Sequence, residues 1–573
     1  MNAYAIGVFV SIVIYLIVGN YAGRKVKHLE DYFVAGRQAP TLLIVGTLVA
    51  SFLSTNAFLA ETGMAYAGYV IPLLIVTALN SLGYVIGGLF FGRFLRRSQA
   101  MTVPEFFGKR FSDHRVQVVA GLTIIAGLSA YLTAVTQGAG LILSQITNMP
   151  YGGALFVGWA GYTFFTFYSG SRGVVITDTI MFLLFSVVAF VALGFIIDAA
   201  GGWHATIAEL ASYAPKPGII SWHGTVGPAA NWQTATEALT WALVMGVSWA
   251  VVVAVSPWQA SRYLMAKSEH TVVRSACGAG AAILVLYVAL LFAGAAVNLS
   301  NPNIEPQERT MIWAAMNLMP TLAGALFLSG IMAAALSSAS TFLSLVGFSV
   351  SNDIVRHETW DDQKRLRMSR YTMLAIGLVA LIIAYAMPPK IFWLTYFAGT
   401  VFASSWGPIA FMSVWSKRIT AGAAFWGIVA GFAGNVVPKI LSQLEIISLP
   451  VYLDPVLIGA VLSLVVILSV TRFGHVSEKE REIREQLHRM PQSEIDAKQI
   501  ARTLLWPKAL ILAGIATTIF LIVYYVGPYT DAAESAPDAI NGELIFAIGY
   551  SAMFIISGML AYFGIRKSYG SVN

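Results

Sequence analysis

The sequence contains few charged residues, which make up 11% of its 573 positions, whereas apolar residues make up 57%. Its mean hydropathy is +0.72. A soluble protein of this length carries about 25% charged residues, because its surface has to be covered with polar groups. Cysteine is nearly absent too: Cys277 alone excludes an internal disulfide and a cysteine metal cluster. The composition therefore identifies a polytopic membrane protein.

Fifteen apolar stretches are long enough to cross the hydrocarbon core of a bilayer, which needs about 20 residues. The first has no basic segment before it and basic residues after it, which favours a retained helix over a cleaved signal. The predicted spans are 4–23, 42–68, 70–94, 117–146, 151–169, 173–199, 233–260, 272–298, 322–350, 369–387, 391–415, 419–438, 452–471, 507–527 and 543–565.

Basic residues are concentrated in alternate loops between these spans. The loop 528–542 is instead acidic. By the positive-inside rule this distribution predicts an N-terminus outside and a C-terminus inside, in the inner (plasma) membrane of the cell. The mixed-charge segment EKEREIREQLHRMPQSEIDAKQ is predicted to be a solvated cytoplasmic helix. The basic clusters lie at 24–27, 93–97, 109–110, 172, 262–267, 364–370, 417–418 and 566–567.

Polar groups in the second span suggest a transport pathway, because such groups are costly at membrane depth. The stretch VASFLSTNAFLAETGMAYAGY contains Ser54, Thr55 and Asn56 near its middle, and Glu61 follows them. Side chains of this kind compete for backbone hydrogen bonds. They predict an unwound stretch, which is tolerated at this depth where it lines a cavity. The alternative is a tightly packed helix with small residues at its interface.

The seventh span, ALVMGVSWAVVVAVSPWQASRYL, is interrupted by Ser256 and Pro257 and also contains Trp249. A proline removes a backbone donor and can break a helix. The sequence thus indicates a second candidate broken span, with an ordinary proline kink as the alternative.

The ninth span contains MAAALSSASTFLS, in which hydroxyl side chains recur at i, i+3, i+4 and i+7, on one helix face. Neutral oxygens suit a monovalent cation that must leave again, whereas a divalent cage would need several carboxylates. Packing between helices is the alternative explanation. The hydroxyl residues of this face are Ser337, Ser340, Thr341 and Ser344.

Asp178 lies in the sixth span, within SGSRGVVITDTIM. A carboxylate at this depth needs a cation, a network of donors or a proton. The sequence leaves two interpretations open, a functional carboxylate or a structural pair with Arg172.

Six segments, in this order and spacing, resemble the sodium/solute symporter family over roughly residues 1–472. The resemblance implies an all-α, LeuT-type fold of two inverted five-helix repeats, with sites at the midplane beside broken helices. The segments are DYFVAGRQ (31–38), TVPEFFGKRF (102–111), SGSRGVVITD (169–178), QASRYLMAKS (259–268), MAAALSSAS (332–340) and the run 408–423.

The resemblance also implies a division of the chain into seven parts. In chain order these are an additional N-terminal helix with its loop, the first repeat, an external loop, the second repeat, two further helices, a charged cytoplasmic linker and two additional helices. Their expected bounds are 1–41, 42–199, 200–232, 233–416, 417–472, 473–506 and 507–573.

Site residues are carried over from the family at matching positions. The main sodium site would use backbone carbonyls and two hydroxyls: Ala50, Leu53, Ala334, Ser337 and Ser338. Some members have a second sodium site, whose matching residues here are Asp178, Ser337, Ser340 and Thr341, so one or two ions are expected. The solute would lie near Ser54, Thr55, Asn56 and Trp249. Ser256 has no assigned role, and Glu61 is a candidate for proton coupling, for binding a substrate ammonium or for a structural hydrogen bond.

These features predict sodium-coupled symport of a small organic solute by alternating access, with a monocarboxylate or an amino acid favoured. Sugar-transporting members often have an asparagine-glutamine pair where Ser256 and Pro257 stand, and proline-type members have an aspartate where Phe52 stands. The alternatives are a sodium-independent facilitator or channel and a transporter-like sensor. An enzyme would need paired acid and base groups or a metal cluster at one depth. The expected partners are the solute and the lipid bilayer, with no nucleic acid.

Overall fold

The computed structural model describes residues 2–23, 29–355, 360–532 and 541–569, without the side chains of residues 20, 22, 23, 29 and 168–172. Every regular element in this part of the chain is helical, and 13 of its helices are long and apolar enough to cross a membrane. Helices satisfy all their backbone groups internally, which lipid requires.

The helices of the first half of the chain begin near the N-terminus and end at the external loop. In chain order they are α1 Ala3–Gly23, α2 Leu29–Val34, α3 Thr41–Thr55, α4 Thr62–Ala67, α5 Val70–Gly87, α6 Arg93–Ser98, α7 Val103–Phe111, α8 His114–Thr147, α9 Tyr151–Ala199 and α10 Trp203–Ala211.

The second half begins with the interrupted seventh span and ends with the additional C-terminal helices. Its helices are α11 Ala235–Val255, α12 Pro257–Met265, α13 Glu269–Ala296, α14 Thr310–Asn317, α15 Thr321–Phe348, α16 Asp362–Ala386, α17 Ile391–Trp415, α18 Ala421–Gln443, α19 Pro455–Phe473, α20 Glu478–His488, α21 Ala497–Leu521, α22 Gly527–Ala532 and α23 Gly542–Tyr569.

Arginines from several segments meet at one end of the bundle, which we call the basic end. Arg37 donates to the carbonyl of Gln99 and Arg96 to that of Ala266. Arg97 forms an ion pair with Glu269 at 2.7 Å. These contacts join the loops that the basic residues mark in the sequence, so the basic end corresponds to the predicted cytoplasmic side.

The fifth and sixth predicted spans lie within the single helical element α9. A straight helix of this length would measure about 73 Å, more than twice the hydrocarbon core. Both α3 and α8 begin at the basic end. The first half of α9 runs antiparallel to α8, as two contacts show: Leu155 with Gly140, and Tyr162 with Thr136. The second half runs parallel to α3 and its continuation, as two others show: Thr179 with Gly46, and Phe185 with Phe58. The two halves therefore cross the bundle in opposite directions, as two spans would.

The first predicted span corresponds to α1, whose apolar stretch Ala3–Gly19 is shorter than the other candidate spans. α1 packs against α9 and α15. The total of fifteen spans, one of them in α1 and two in α9, stays a prediction.

Around the core, α3 packs against α9, α13 and α15, while α5 packs against α11 and α13. Close packing requires glycine where helices meet: a Cβ atom on Gly83 of α5 would clash with the carbonyl oxygen of Ala250 in α11. The C-terminal helices α21 and α23 pack on each other, and they reach the core through α13 and α5. Additional helices therefore flank a core formed by the two predicted repeats.

The mixed-charge linker forms α20, as predicted, and this helix packs against α6 and α7 at the basic end. A capping box between Ser477 and Glu480 begins the helix. Arg97 donates to the carbonyl of Leu487, and Arg110 to that of Glu480. One face of the linker helix is thus bound to the bundle.

Candidate functional site

The second predicted span is broken, as its polar residues predict. α3 ends at Thr55, and Ser54 has φ 27° and ψ −172°. A π-helical turn over Asn56–Glu61 then leads into α4. Positive φ is uncommon outside glycine and persists where surrounding contacts hold it. Ser54 Oγ accepts a hydrogen bond from the Asn56 N–H at 3.1 Å and lies 3.3 Å from the Tyr131 hydroxyl.

The seventh span is also broken, and the interruption is more than a kink. α11 ends at Val255, Ser256 has ψ 148°, and Pro257 begins α12. The Ser256 carbonyl accepts from the N–H groups of Gln259 and Ala260, at 3.1 and 2.8 Å. The second of the two predicted broken helices is therefore confirmed.

The two breaks contact each other through Gln259 of α12. Its Nε2 lies 3.4 Å from both the Leu48 carbonyl and the Ser51 hydroxyl of α3, as donor to each. Its Oε1 accepts from the Tyr84 hydroxyl at 3.0 Å. An amide that bridges both interrupted spans couples their positions.

The predicted solute residues next to the first break are buried and carry free polar atoms. Ser54 and Thr55 are fully buried, and Asn56 is nearly so. Asn56 Nδ2 donates to Glu61 Oε1 at 3.0 Å. Thr55 Oγ1, Asn56 Oδ1 and Glu61 Oε2 have no hydrogen-bond partner within the described part of the chain. Buried polar atoms are normally paired, so this cluster offers one hydroxyl and two acceptor oxygens to a ligand or water.

Trp249 is not shown to contact these residues. Its ring packs edge-on against Phe52, with centroids 5.9 Å apart, and lies over Gly399. Its indole Nε1 is buried and has no acceptor among the described residues, and the Ser256 hydroxyl has no partner there either. Both groups are buried polar atoms without a described partner, and Ser256 lies at the second break.

The hydroxyl face of the ninth span lies on α15, which continues without interruption through Phe348. Hydroxyls in membrane helices usually bond back to a carbonyl one turn earlier. Ser329 and Ser340 do so, at 2.7 and 2.9 Å. In contrast, the hydroxyls of Ser337 and Ser338 are fully buried and bond back to no carbonyl, and Ser338 has no hydrogen-bond partner in the part of the chain that the structure describes. These two are the hydroxyls that the resemblance predicts for a main sodium site.

The other predicted members of the main site occupy the same two helices. Ala50 and Leu53 lie in the last turns of α3, and Ala334 lies in α15; all three are fully buried. α3 packs against α15. The Leu53 carbonyl accepts from the Asn56 N–H, and its second lone pair stays available to a cation.

Asp178, a member of the predicted second site, lies in the second half of α9 and is contacted by residues of other helices. Thr47 of α3 donates to Asp178 Oδ2 at 2.5 Å, and the Ser337 side chain lies beside the carboxyl group. Asp178 Oδ1 has no partner among the described residues. Three helices thus converge on one carboxylate.

A residue that the sequence did not assign to the site, Arg262 of α12, enters it. Its Nη2 lies 3.5 Å from Asp178 Oδ2 and also donates to the Thr341 hydroxyl. The predicted seventh span ended at residue 260 and placed this arginine in a cytoplasmic loop. That placement is wrong: α12 extends to Met265, and Arg262 is 3% exposed. The Arg172 side chain, the other possible partner of Asp178, lies outside the described residues.

The end of the bundle opposite the basic end is covered by the loop that follows α10. Lys216 of this loop donates to the carbonyl of Tyr66, at the end of α4, and to Asn298 Oδ1. Burial lowers the pKa of Lys216 to about 8. The backbone N–H of Thr225, in the same loop, also donates to the Gly68 carbonyl at 2.9 Å. With Arg262 on the other side, the candidate residues are closed off from both ends.

Comparisons with known proteins bear on the family and the fold of the chain. The model of the Sodium:solute symporter family matches residues 32–431, more than half of the chain. The chain belongs to the sodium:solute symporter family. The sodium/pantothenate symporter of Escherichia coli (strain K12) is 25% identical over 485 residues, which cover 82% of this chain and 96% of that relative. The sodium/proline symporter of Haemophilus influenzae is 26% identical over 441 residues, covering 73% and 84%.

Solved structures place this symporter in the LeuT-type fold. It resembles a Na⁺-coupled sialic acid symporter in a substrate-bound outward-open state, with a TM-score of 0.70 and 18% identity over 84% of this chain and 99% of the other. It also resembles Mhp1, a nucleobase-cation-symport-1 family transporter, with a TM-score of 0.52 and 13% identity over 79% and 98%. The predicted family and fold class are confirmed, and the protein is a sodium-coupled transporter of small organic solutes rather than an enzyme.

Proposed function

We propose that this symporter carries a small zwitterionic or amine-bearing solute together with sodium across the inner (plasma) membrane, with its basic end in the cytoplasm. The observation that supports it best is a pair of buried hydroxyls, Ser337 and Ser338, that bond back to no carbonyl of the described residues and lie on the helix that packs against the broken α3. Sodium bound there would join α15 to the last turn of α3. An ion shifts a conformational equilibrium only toward the state that it binds better. This bridge would therefore favour the conformation that accepts solute.

Two sodium ions per cycle fit the side chains present. The main ion would take the carbonyls of Ala50, Leu53 and Ala334 with the hydroxyls of Ser337 and Ser338. The second would take Asp178 with Ser337, Ser340 and Thr341. An inward-negative potential of about 100 mV contributes about 2.3 kcal/mol for each positive charge moved inward, so a second ion would double this electrical driving force.

The polar atoms beside the first break favour a solute that donates hydrogen bonds. Neither Glu61 Oε2 nor Asn56 Oδ1 accepts a hydrogen bond of normal geometry from the described residues, and the neighbours of the Glu61 carboxyl group are Asn56 and Tyr287, both uncharged. A solute ammonium would supply the missing positive charge, whereas a bare monocarboxylate would be repelled. Of the two solute classes that the sequence favours, an amino acid therefore fits these atoms better.

The test is a thermal-unfolding screen of the purified protein in sodium or potassium chloride, against amino acids, amines, monocarboxylates, sugars and vitamins. A bound ligand stabilises the folded state by mass action. We expect an amino acid or amine to raise the unfolding temperature in sodium and to have little effect in potassium. Equal stabilisation in both salts, followed by uptake into liposomes without a sodium gradient, would instead identify a passive facilitator.

Glu61→Gln tests the solute assignment. We expect it to weaken solute binding at least tenfold while the response to sodium alone stays unchanged, because only the solute ammonium would need the carboxylate charge. Glu237→Gln, which removes a carboxylate at the start of α11, is the control. If both variants bound the solute like the parent protein, Glu61 would not contact it.

A further inference from the structure

The contacts of Arg262 are those that a second sodium ion would use. One nitrogen, Nη2, lies 3.5 Å from Asp178 Oδ2 and donates to Thr341 Oγ1. Asp178 and Thr341 are two of the four residues expected to hold that ion. We propose that the Arg262 guanidinium is a tethered cation that occupies the second sodium site when sodium is absent and is displaced when sodium binds. The proposal rests on the sodium coupling proposed above.

The Arg262–Asp178 ion pair has fewer hydrogen bonds than such a pair can form, as expected of a contact that exchanges with a bound ion. Arginine can bind a carboxylate with two parallel hydrogen bonds, but here a single nitrogen approaches at the upper limit of hydrogen-bond length. Asp178 Oδ1 and Arg262 Nε are both buried without a partner in the described part of the protein. A sodium ion could therefore approach the free carboxylate oxygen before the arginine leaves.

Arg262 cannot leave by losing its charge, because arginine stays protonated in proteins. Asp178 is fully buried and Arg262 nearly so, and a buried charge without a counter-charge is strongly destabilising. The two cations would also repel each other at this short range. Occupation of the carboxylate by one cation therefore weakens binding of the other.

A small cavity lies next to Arg262 on the side of the basic end. Its volume is about 20 Å³, enough for one water molecule. Ser344 lines this cavity beside Arg262 and Thr341, and it follows Thr341 by three residues, on the same helix face. Hydroxyl side chains thus line part of the space beside the guanidinium. An ion released from Thr341 would next meet the Ser344 hydroxyl, the one residue of the hydroxyl face without an expected sodium role.

The experiment measures how sodium alone stabilises the purified full-length protein. Sodium chloride replaces N-methylglucamine chloride at constant ionic strength, and the midpoint of the rise in unfolding temperature is recorded. Arg262→Met keeps the bulk of the side chain and removes its charge. Because coupling between sites commonly changes affinity by about 5- to 150-fold, we expect the sodium midpoint to fall at least fivefold. Arg262→Lys, which keeps a tethered cation, should stay near the parent value.

Two further variants separate competition from a general structural role. Arg262→Met with Asp178→Asn removes both charges. It should be more stable in sodium-free buffer than either single variant and should lose the gain in sodium affinity. Arg110→Met removes another buried arginine, which donates to the backbone carbonyls of Ser413 and Glu480, and it should leave the sodium midpoint unchanged.

The outcomes distinguish this proposal from the proposed function. If the parent protein gains no stability from sodium relative to N-methylglucamine, sodium coupling fails and the proposal falls with it. If the parent responds but Arg262→Met leaves the midpoint unchanged or raises it, sodium coupling stands and Arg262 is only structural. A double variant no more stable than the two single variants would equally overturn the proposal, even if Arg262→Met alone cannot be purified.

Discussion

Replacing Ser338 by alanine should stabilise the protein without sodium and weaken its response to sodium. The Ser338 hydroxyl is fully buried, and no hydrogen-bond partner for it exists among the described residues. A buried group left unsatisfied costs about 1–3 kcal/mol. Alanine removes that group and leaves little empty space, so the sodium-free protein should be at least as stable as the parent.

The loss in the sodium-bound state can be estimated from the same contact. A neutral oxygen bound to a charged group contributes about 1.5–3 kcal/mol, so its removal should weaken sodium binding about 10- to 150-fold. At a sodium concentration of 100 times the dissociation constant, binding stabilises the parent by about 2.7 kcal/mol. A 30-fold weaker site would leave about 0.9 kcal/mol at that concentration.

The assay is chemical or thermal unfolding of both proteins in sodium and in potassium chloride. Ser329→Ala is the matched control, because this serine lies on the same helix and its hydroxyl already donates to the Ala325 carbonyl at 2.7 Å. It should keep the full sodium response. If Ser338→Ala kept the full sodium response as well, or if it lost stability without sodium, the hydroxyl would belong to packing and not to an ion site.

Three other perturbations have definite expectations. Gly138→Ala should reduce sodium-driven uptake while leaving expression intact, since its Cβ would lie 2.6 Å from the Thr55 side chain beside the break in α3; normal uptake would show that this contact does not move. The free energy of unfolding should rise from about pH 8 upward. Burial lowers the pKa of Lys216, so above this pH the unfolded chain binds more protons than the folded protein does. Lys216→Met should flatten that rise in unfolding titrations. Truncation after residue 505 should lower the yield of folded protein in size-exclusion chromatography, because Tyr569 donates to Glu269 at 3.1 Å and the lost helices pack on α13; a monodisperse, sodium-responsive truncated protein would show that they are dispensable.

The breaks in the second and seventh spans were predictable because their causes are local. Ser54, Thr55 and Asn56 compete for backbone hydrogen bonds within a few residues, and Pro257 lacks an N–H group. Each signal lies in the segment that it interrupts. Composition, spans and the ordered family segments were likewise readable from the chain, because each depends on residues close together in sequence.

The partner of Asp178 was not predictable in this way, because 84 residues separate Asp178 from Arg262. The hydropathy of the segment also gave a wrong placement, because an arginine two residues beyond a predicted span is normally an interfacial anchor. The helix instead restarts at Pro257 as α12, in which the arginine is buried. Likewise, the sequence could not tell which hydroxyls of α15 bond back to their own helix, since Ser338 and Ser340 differ only in what surrounds them in the fold.

The position of Arg262 on α12 has a mechanical consequence under the proposal. α12 is a short segment that follows the break at Ser256, whereas Asp178 and Thr341 lie on the longer helices α9 and α15. Movement of α12 away from α9 would therefore break the ion pair. Without sodium this movement would leave two buried charges unpaired, at a cost of about 3–5 kcal/mol for breaking such a pair. With sodium already on Asp178, the carboxylate keeps a counter-charge and the barrier falls. Sodium occupation and opening at the basic end would then be thermodynamically linked, as coupled transport requires.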